Sequence, residues 1–264
     1  MPRLLIFGLG YTASRLARRL WDDGWDFIGT QRAPANENDA LSFDHPAVFR
    51  AIAGATHILS SVPPDGEIDP VLTRYGEALR TTAAQWVGYL SSTGVYGDTG
   101  GAWVDESAPI GSGRRSARAA ADLAWQALRP DVRVFRLPGI YGPGRSALDR
   151  LDAPRVDAPG HRFSRIHVDD IVGAVMASFH VGPGVWNVTD DEPATSRAVA
   201  EYACDLVGRP YAPLVAPDAL SPPARAFYGE RRLVANGKMK RDLGYRLRYP
   251  SYRDGLRACL KEAP

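Results

Sequence analysis

Through the first half of the chain, short apolar runs alternate with stretches in which apolar residues recur every three to four positions. Residues 4–7, 26–30, 57–61, 87–91 and 132–137 are short runs rich in Leu, Ile, Val and Phe, the pattern of strands buried on both faces. Residues 41–43 form a shorter one. Between these runs, residues 12–21 place Leu16 and Leu20 on one helical face, residues 71–84 follow the same period, and residues 116–128 form an alanine-rich helix. Strands separated by helices predict parallel βαβ units with right-handed crossovers.

The second half is less regular. Pro154, Pro159 and Gly160 mark a loop, residues 168–179 and 195–207 read as helices, and residues 185–188 as a strand. The proline-rich stretch 210–223 should run over the surface. The pattern predicts an α/β core over residues 1–144. Residues 145–264 would return to that core at about 167–190 and otherwise form a small, discontinuous lobe.

Composition narrows the function classes. The 264 residues carry a formal net charge of +2 and no long run of like charge, which gives no support to a nucleic-acid partner. Arg231 and Arg232 read as solvated surface. No stretch approaches the ~18 consecutive apolar residues of a membrane span. The opening Met-Pro-Arg-Leu-Leu-Ile-Phe is too short and too quickly followed by Arg15, Arg18 and Arg19 for a signal peptide. Cys204 and Cys259 are far apart and outside any Cys-x-x-Cys pair, so neither a disulfide framework nor a zinc site is expected, and a reducing, cytoplasmic setting is.

One segment carries specific chemistry. Gly8-Leu9-Gly10-Tyr11-Thr12-Ala13 follows a predicted strand and opens a predicted helix, fitting Gly-x-Gly-x-x-Gly/Ala. Gly8 permits the tight turn, Gly10 lets a diphosphate approach the backbone, and Ala13 keeps helix and strand close. The free N–H groups at the helix start, from Tyr11 to Ala13, then face the phosphates. This is the dinucleotide-binding turn of a Rossmann-type, doubly wound parallel sheet. After the second strand, an NAD site usually places an acidic residue for the ribose 2′-hydroxyl. Here stand Thr30, Gln31 and Arg32. With no carboxylate to repel a 2′-phosphate and an arginine to pair with one, NADP is favoured over NAD. Arg32 as a plain loop cation is the alternative.

Four more segments stand in order along the chain: Ser91-Ser92-Thr93-Gly94-Val95-Tyr96-Gly97, residues 136–144 (RLPGIYGPG), residues 166–171 (IHVDDI) and residues 187–190 (NVTD). Together with the glycine turn and the closing Leu243-Gly244-Tyr245, they resemble the motifs of extended short-chain dehydrogenases/reductases, the NAD-dependent epimerase/dehydratase family. The resemblance implies roles. Ser92 matches the serine or threonine that hydrogen-bonds the reacting oxygen. Asp44 matches the aspartate that holds the adenine amino group, although it could instead cap the following helix. Ser60, Ser61 and Val62 would pass under the ribose, and Pro138 and Gly139 would back the nicotinamide. A small-molecule substrate is implied, with nucleotide sugars as one candidate class, and a homodimer is left open because related folds often pair through two helices.

The family's Tyr-x-x-x-Lys acid–base pair is missing. Aligning Asp122 with the family's usual glutamate puts Arg118 at the lysine and Arg114 at the tyrosine. Arg118 can still donate to ribose hydroxyls, but a guanidinium with a pKa of about 13 cannot replace a phenol as a proton carrier. Tyr96 and Tyr141 are the nearest substitutes, with packing as their ordinary role. Arg114 and Arg118, four apart, share a helix face that either binds a substrate anion or faces water. Two functions follow: an atypical reductase, epimerase or dehydratase, or a nucleotide-binding sensor or scaffold that has lost its chemistry.

Overall fold

The computed structural model describes residues 1–34, 40–111, 113 and 116–262. Seven parallel strands form the central sheet: β1 (Arg3–Phe7), β2 (Asp26–Gln31), β3 (Leu41–Ser42), β4 (His57–Ser60), β5 (Trp86–Ser92), β6 (Val132–Leu137) and β7 (Gly184–Asn187). Their spatial order is β7-β6-β5-β4-β1-β2-β3. The order reverses beside β1, which opens a crevice at the carboxyl ends of β1 and β4. This is the doubly wound, Rossmann-type α/β architecture expected from the alternation of strands and helices.

The buried runs follow from helices on both faces. In β1, Leu4 and Ile6 point to one face, where they join Leu16 and Leu20 of helix α1 (Tyr11–Asp22). Leu5 and Phe7 point to the other and join Val48 and Ile52 of α2 (Ala47–Gly54) and Trp125 of α4 (Ser116–Leu128). Helix α3 (Pro70–Thr81) starts at Asp69, whose Oδ1 accepts from the N–H groups of Val71 and Leu72 at 3.0 and 2.9 Å. Its Oδ2 accepts from the Trp125 indole at 2.8 Å and so ties α3 to α4. This helix stops three residues before the expected end, and Thr82 onward is extended. Likewise α5 (Val168–Ala177) gives way to a short 3₁₀ turn at Ser178.

Apart from α5 and β7, which belong to the core, the residues beyond 138 form small two-stranded ribbons and short helices. Gly139–Tyr141 pairs with Arg165–His167, and Arg162–Phe163 with Ala194–Thr195. Leu214–Val215 pairs with Arg155–Val156, so the proline-rich stretch is not wholly a surface loop. The C-terminal helix Tyr252–Lys261 is fastened to α1. Arg15 pairs with both Asp169 and Glu262, its Nε lying 2.5 Å from Asp169 Oδ1 and its Nη2 2.8 Å from Glu262 Oε2. Among the described residues no helix is long and apolar enough to cross a membrane.

Candidate functional site

The glycine turn is braced from three sides. Gly8 has φ +82°, and a Cβ there would lie 2.9 Å from Val62 Cγ2, so glycine is required on both counts. The Gly8 N–H donates to Thr30 Oγ1 at 3.3 Å, Ser61 Oγ donates to the Gly8 carbonyl at 2.7 Å, and Gln31 Nε2 donates to the Leu9 carbonyl at 2.9 Å. Thr30, Gln31 and Ser61 therefore shape the turn. At Gly10 the missing Cβ faces open space, with no atom within 4 Å. Gly10 caps α1 without a side-chain hydrogen bond, which leaves the first-turn N–H groups of Tyr11, Thr12 and Ala13 available.

Three adjoining cavities run from this turn along the carboxyl edge of the sheet. The first, about 340 Å³, is bounded by Gly8, Gln31, Arg32, Phe43 and Val62. It meets the second, about 820 Å³, at Gly10, Ser61 and Pro63. That second cavity takes in Tyr11, Thr12, Ser92, Arg118, Pro138 and Gly139. The third, about 130 Å³, opens beside Ser92 and Gly139 and is walled by His161, Glu230 and Arg232. Arg232 is not a solvated cation: it donates to the Gly97 carbonyl at 2.6 Å and pairs with Glu230 at 3.1 Å.

Most of the expected nucleotide-site residues fall on this groove, but not all. Ala13 is buried against the core, and Ser60 is buried at the end of β4 with no partner for its hydroxyl. Asp44 lies outside the first cavity, with an exposed carboxylate 3.1 Å from Arg74 Nε, while its neighbour Phe43 lines the wall. Nor does Asp44 cap the following helix, α2, whose N-cap is Pro46 with no side-chain cap hydrogen bond. Arg114 lies outside the described residues.

Ser92 Oγ accepts the Gly94 N–H at 3.1 Å, as a local cap, and the residue also borders the second and third cavities. With the oxygen anchored this way, its own O–H remains available to donate. Tyr96 borders none of the three cavities. Its phenol is buried, accepts from Arg136 Nη1 at 2.9 Å and donates to Asn187 Oδ1 at 2.8 Å. Burial raises its pKa. Tyr141 borders the second cavity, with its pKa raised by burial. Tyr11 donates to the Pro143 carbonyl at 3.0 Å, and burial pushes its pKa up to about 12.

Arg118 reaches the second cavity because α4 is pinned one turn further on. Asp122 on that helix is fully buried and takes two hydrogen bonds from Arg136, with Ser91 Oγ donating at 2.5 Å. The sequence left Arg162, Arg165, Tyr228 and Lys238 unassigned. Arg165 and Tyr228 border the second cavity, whereas Arg162 donates to the Pro193 carbonyl and Lys238 to the Val185 carbonyl. Arg145, Arg150 and Arg155 also border it and were not singled out, because they lie on irregular segments with no periodicity to mark a face. Its described lining holds no Asp or Glu.

The fold and groove define the class. The chain has the Rossmann-type fold of NAD-dependent epimerases and dehydratases. The human epimerase family protein SDR39U1 with NADPH matches with a TM-score of 0.75 at 17% identity, over 98% of each chain. The dTDP-glucose 4,6-dehydratase of Bacillus anthracis in complex with NAD matches at 0.79 and 17% identity, over 99% of this chain and 96% of that one. More particularly, the chain belongs to the same family as a functionally unknown conserved protein from Silicibacter pomeroyi: 43% identity over 100% of this chain and 99% of that one, with a TM-score of 0.92. A 3-diazoavenalumate denitrifying reductase from Streptomyces is 29% identical over 248 residues, 82% of this chain and 81% of that protein. No family model matches the chain.

Proposed function

We propose that this protein is an NAD(P)-dependent oxidoreductase, epimerase or dehydratase acting on a hydroxyl- or carbonyl-bearing small molecule, with nucleotide sugars as one candidate class. The observation that carries this reading is the unbroken groove from the Gly8–Ala13 turn to the Ser92 hydroxyl. A nicotinamide dinucleotide fits it: the α1 N-terminus and the open face of Gly10 suit a diphosphate, and Pro138 and Gly139 offer a wall for the far ring. When bound, the nicotinamide supplies or takes up hydride. Arg32 beside the first cavity favours a 2′-phosphate and hence NADP. The Streptomyces relative is named a reductase and the compared structures hold NADPH or NAD, which supports the coenzyme class without deciding between the two.

In this reading Ser92 donates its O–H to the reacting oxygen and orients it. Arg118 donates to the nicotinamide ribose or steadies negative charge at that oxygen. With no tyrosine at the family position, proton transfer loses the ~10²–10⁴-fold that a positioned acid–base group contributes. An open cavity beside Ser92, with Ser, Arg and Tyr side chains set among apolar ones, favours chemistry over a sensor or scaffold.

The test is calorimetry of the protein with NADPH and NADH, followed by nicotinamide absorbance assays against carbonyl compounds and sugar nucleotides. Binding of NADPH in preference to NADH, with turnover of a substrate, is expected. Absence of binding by either coenzyme overturns the reading.

A further inference from the structure

Arg165 is an unusual charge. It stands on the short strand Arg165–His167, directly across from Gly139, and is only 6% exposed. Its Nη1 donates to the carbonyls of Phe163 and Ala194 at 3.1 and 2.9 Å, and its guanidinium lies over the Phe163 ring at 3.6 Å. Nε and Nη2 form no hydrogen bond with any described residue, and Arg165 forms no ion pair among them. The side chain nevertheless borders the second cavity.

Burying a cation without a counter-charge is costly, and buried arginines normally meet a carboxylate. The acid placed to serve is Asp190, whose N–H donates to the Arg165 carbonyl at 2.8 Å. Its carboxyl is itself buried, and neither oxygen has a hydrogen-bond partner. Burial raises the Asp190 pKa. No described carboxylate meets Arg165 in a hydrogen bond or ion pair, so the cavity ends on a guanidinium with two of its nitrogens left free. Arg155 does not share this state, since it pairs with Glu201 and donates to the Ala212 carbonyl. Arg145 and Arg150 sit exposed at the rim and extend the positive field outward.

We propose that Arg165 is the specificity-determining residue of the substrate cavity and that it receives an oxyanion, a carboxylate or a phosphate, carried by the substrate. The planar fork of the guanidinium suits either group through its free Nε and Nη2. The assignment rests on the reading of the second cavity as the substrate site.

The experiment titrates the full chain with sodium phosphate and, separately, with sodium benzoate, each against sodium chloride at matched ionic strength, by thermal melting and calorimetry. One of the two probes should stabilise the protein beyond chloride, and which one identifies the group. Arg165→Met should weaken that binding about tenfold or more. Arg165→Lys keeps the charge but loses the fork, and serves if the methionine variant does not fold; it too should bind more weakly. No stabilisation beyond chloride by either probe, or variants that titrate like the parent, overturns the proposal. Calorimetry with NADPH on the same samples keeps the two readings apart. Lost coenzyme binding would sink the proposed function and leave the anion result standing; intact coenzyme binding without anion binding would do the reverse.

Discussion

Arg136 and Asp122 form a two-pronged ion pair with both side chains almost completely out of water: Nε to Oδ2 is 3.0 Å and Nη2 to Oδ1 is 2.9 Å. The pair joins the carboxyl end of β6 to α4 and carries Tyr96 and Ser91 as further partners. Removing one member leaves an uncompensated buried charge, whose cost is about 3–5 kcal/mol. Asp122→Ala should lower stability by that amount in urea denaturation, and Arg136→Met together with Asp122→Leu should recover much of the loss. A single variant as stable as the parent would show that the pair contributes little.

The two glycines of the turn should fail differently. Gly8→Ala meets both a left-handed backbone and Val62, so it should cost roughly 1–3 kcal/mol of stability. Gly10→Ala has space for its methyl group and should leave the melting curve nearly unchanged. That methyl would occupy the approach to the α1 N-terminus, so coenzyme binding should fall all the same. Melting curves and coenzyme titrations on the two variants separate these outcomes.

Arg32→Ala tests the choice of coenzyme. Loss of a charge-assisted contact to a 2′-phosphate should weaken NADPH about tenfold while sparing NADH. The ratio of the two dissociation constants is the measurement, and an unchanged ratio removes Arg32 from the site.

Two buried groups pull stability in opposite directions as pH changes. Burial lowers the His167 pKa from 6.5 to about 4, so below 6.5 the unfolded chain takes up a proton that the folded one refuses. That contribution is complete above pH 6.5 and is lost as pH falls toward 4, by about 3 kcal/mol. Asp190 has the reverse sign: its pKa rises from 3.8 to about 8, so the folded form holds a proton that the unfolded form has lost, and stability falls as pH climbs from about 4 to 8. The two slopes offset each other between about pH 4 and 6.5, and the Asp190 loss stands alone from about 6.5 to 8. Asp190→Asn should flatten the fall above pH 6.5 in a stability–pH curve obtained by denaturant titration and uncover the His167 loss below it.

The sheet was legible because a strand buried on both faces is apolar over most of its length, as Leu4–Phe7 of β1 is, while β6 keeps Val132, Val134, Phe135 and Leu137 around two buried arginines. The turn was legible because Gly8 needs a backbone that other residues avoid. Thr30, Gln31 and Ser61 were marked as nucleotide-site residues, and they reach that neighbourhood chiefly by shaping the turn's backbone. What the residues could not announce were contacts set by folding across long distances. Asp44 has the expected position in sequence, yet its carboxylate turns to Arg74. Tyr96 occupies a motif position, yet Arg136 and Asn187 claim its phenol. The cavity arginines come from segments without helical or strand period, so no local pattern tells Arg165, which is buried, from Arg162, which is exposed.

Arg15 belongs to the helix that follows the glycine turn, and its two acidic partners lie 154 and 247 residues downstream. During synthesis the turn emerges well before the charges that anchor its helix, Asp169 first and Glu262 later. A nascent chain thus carries the glycine turn without its ion-pair buttress until those segments arrive.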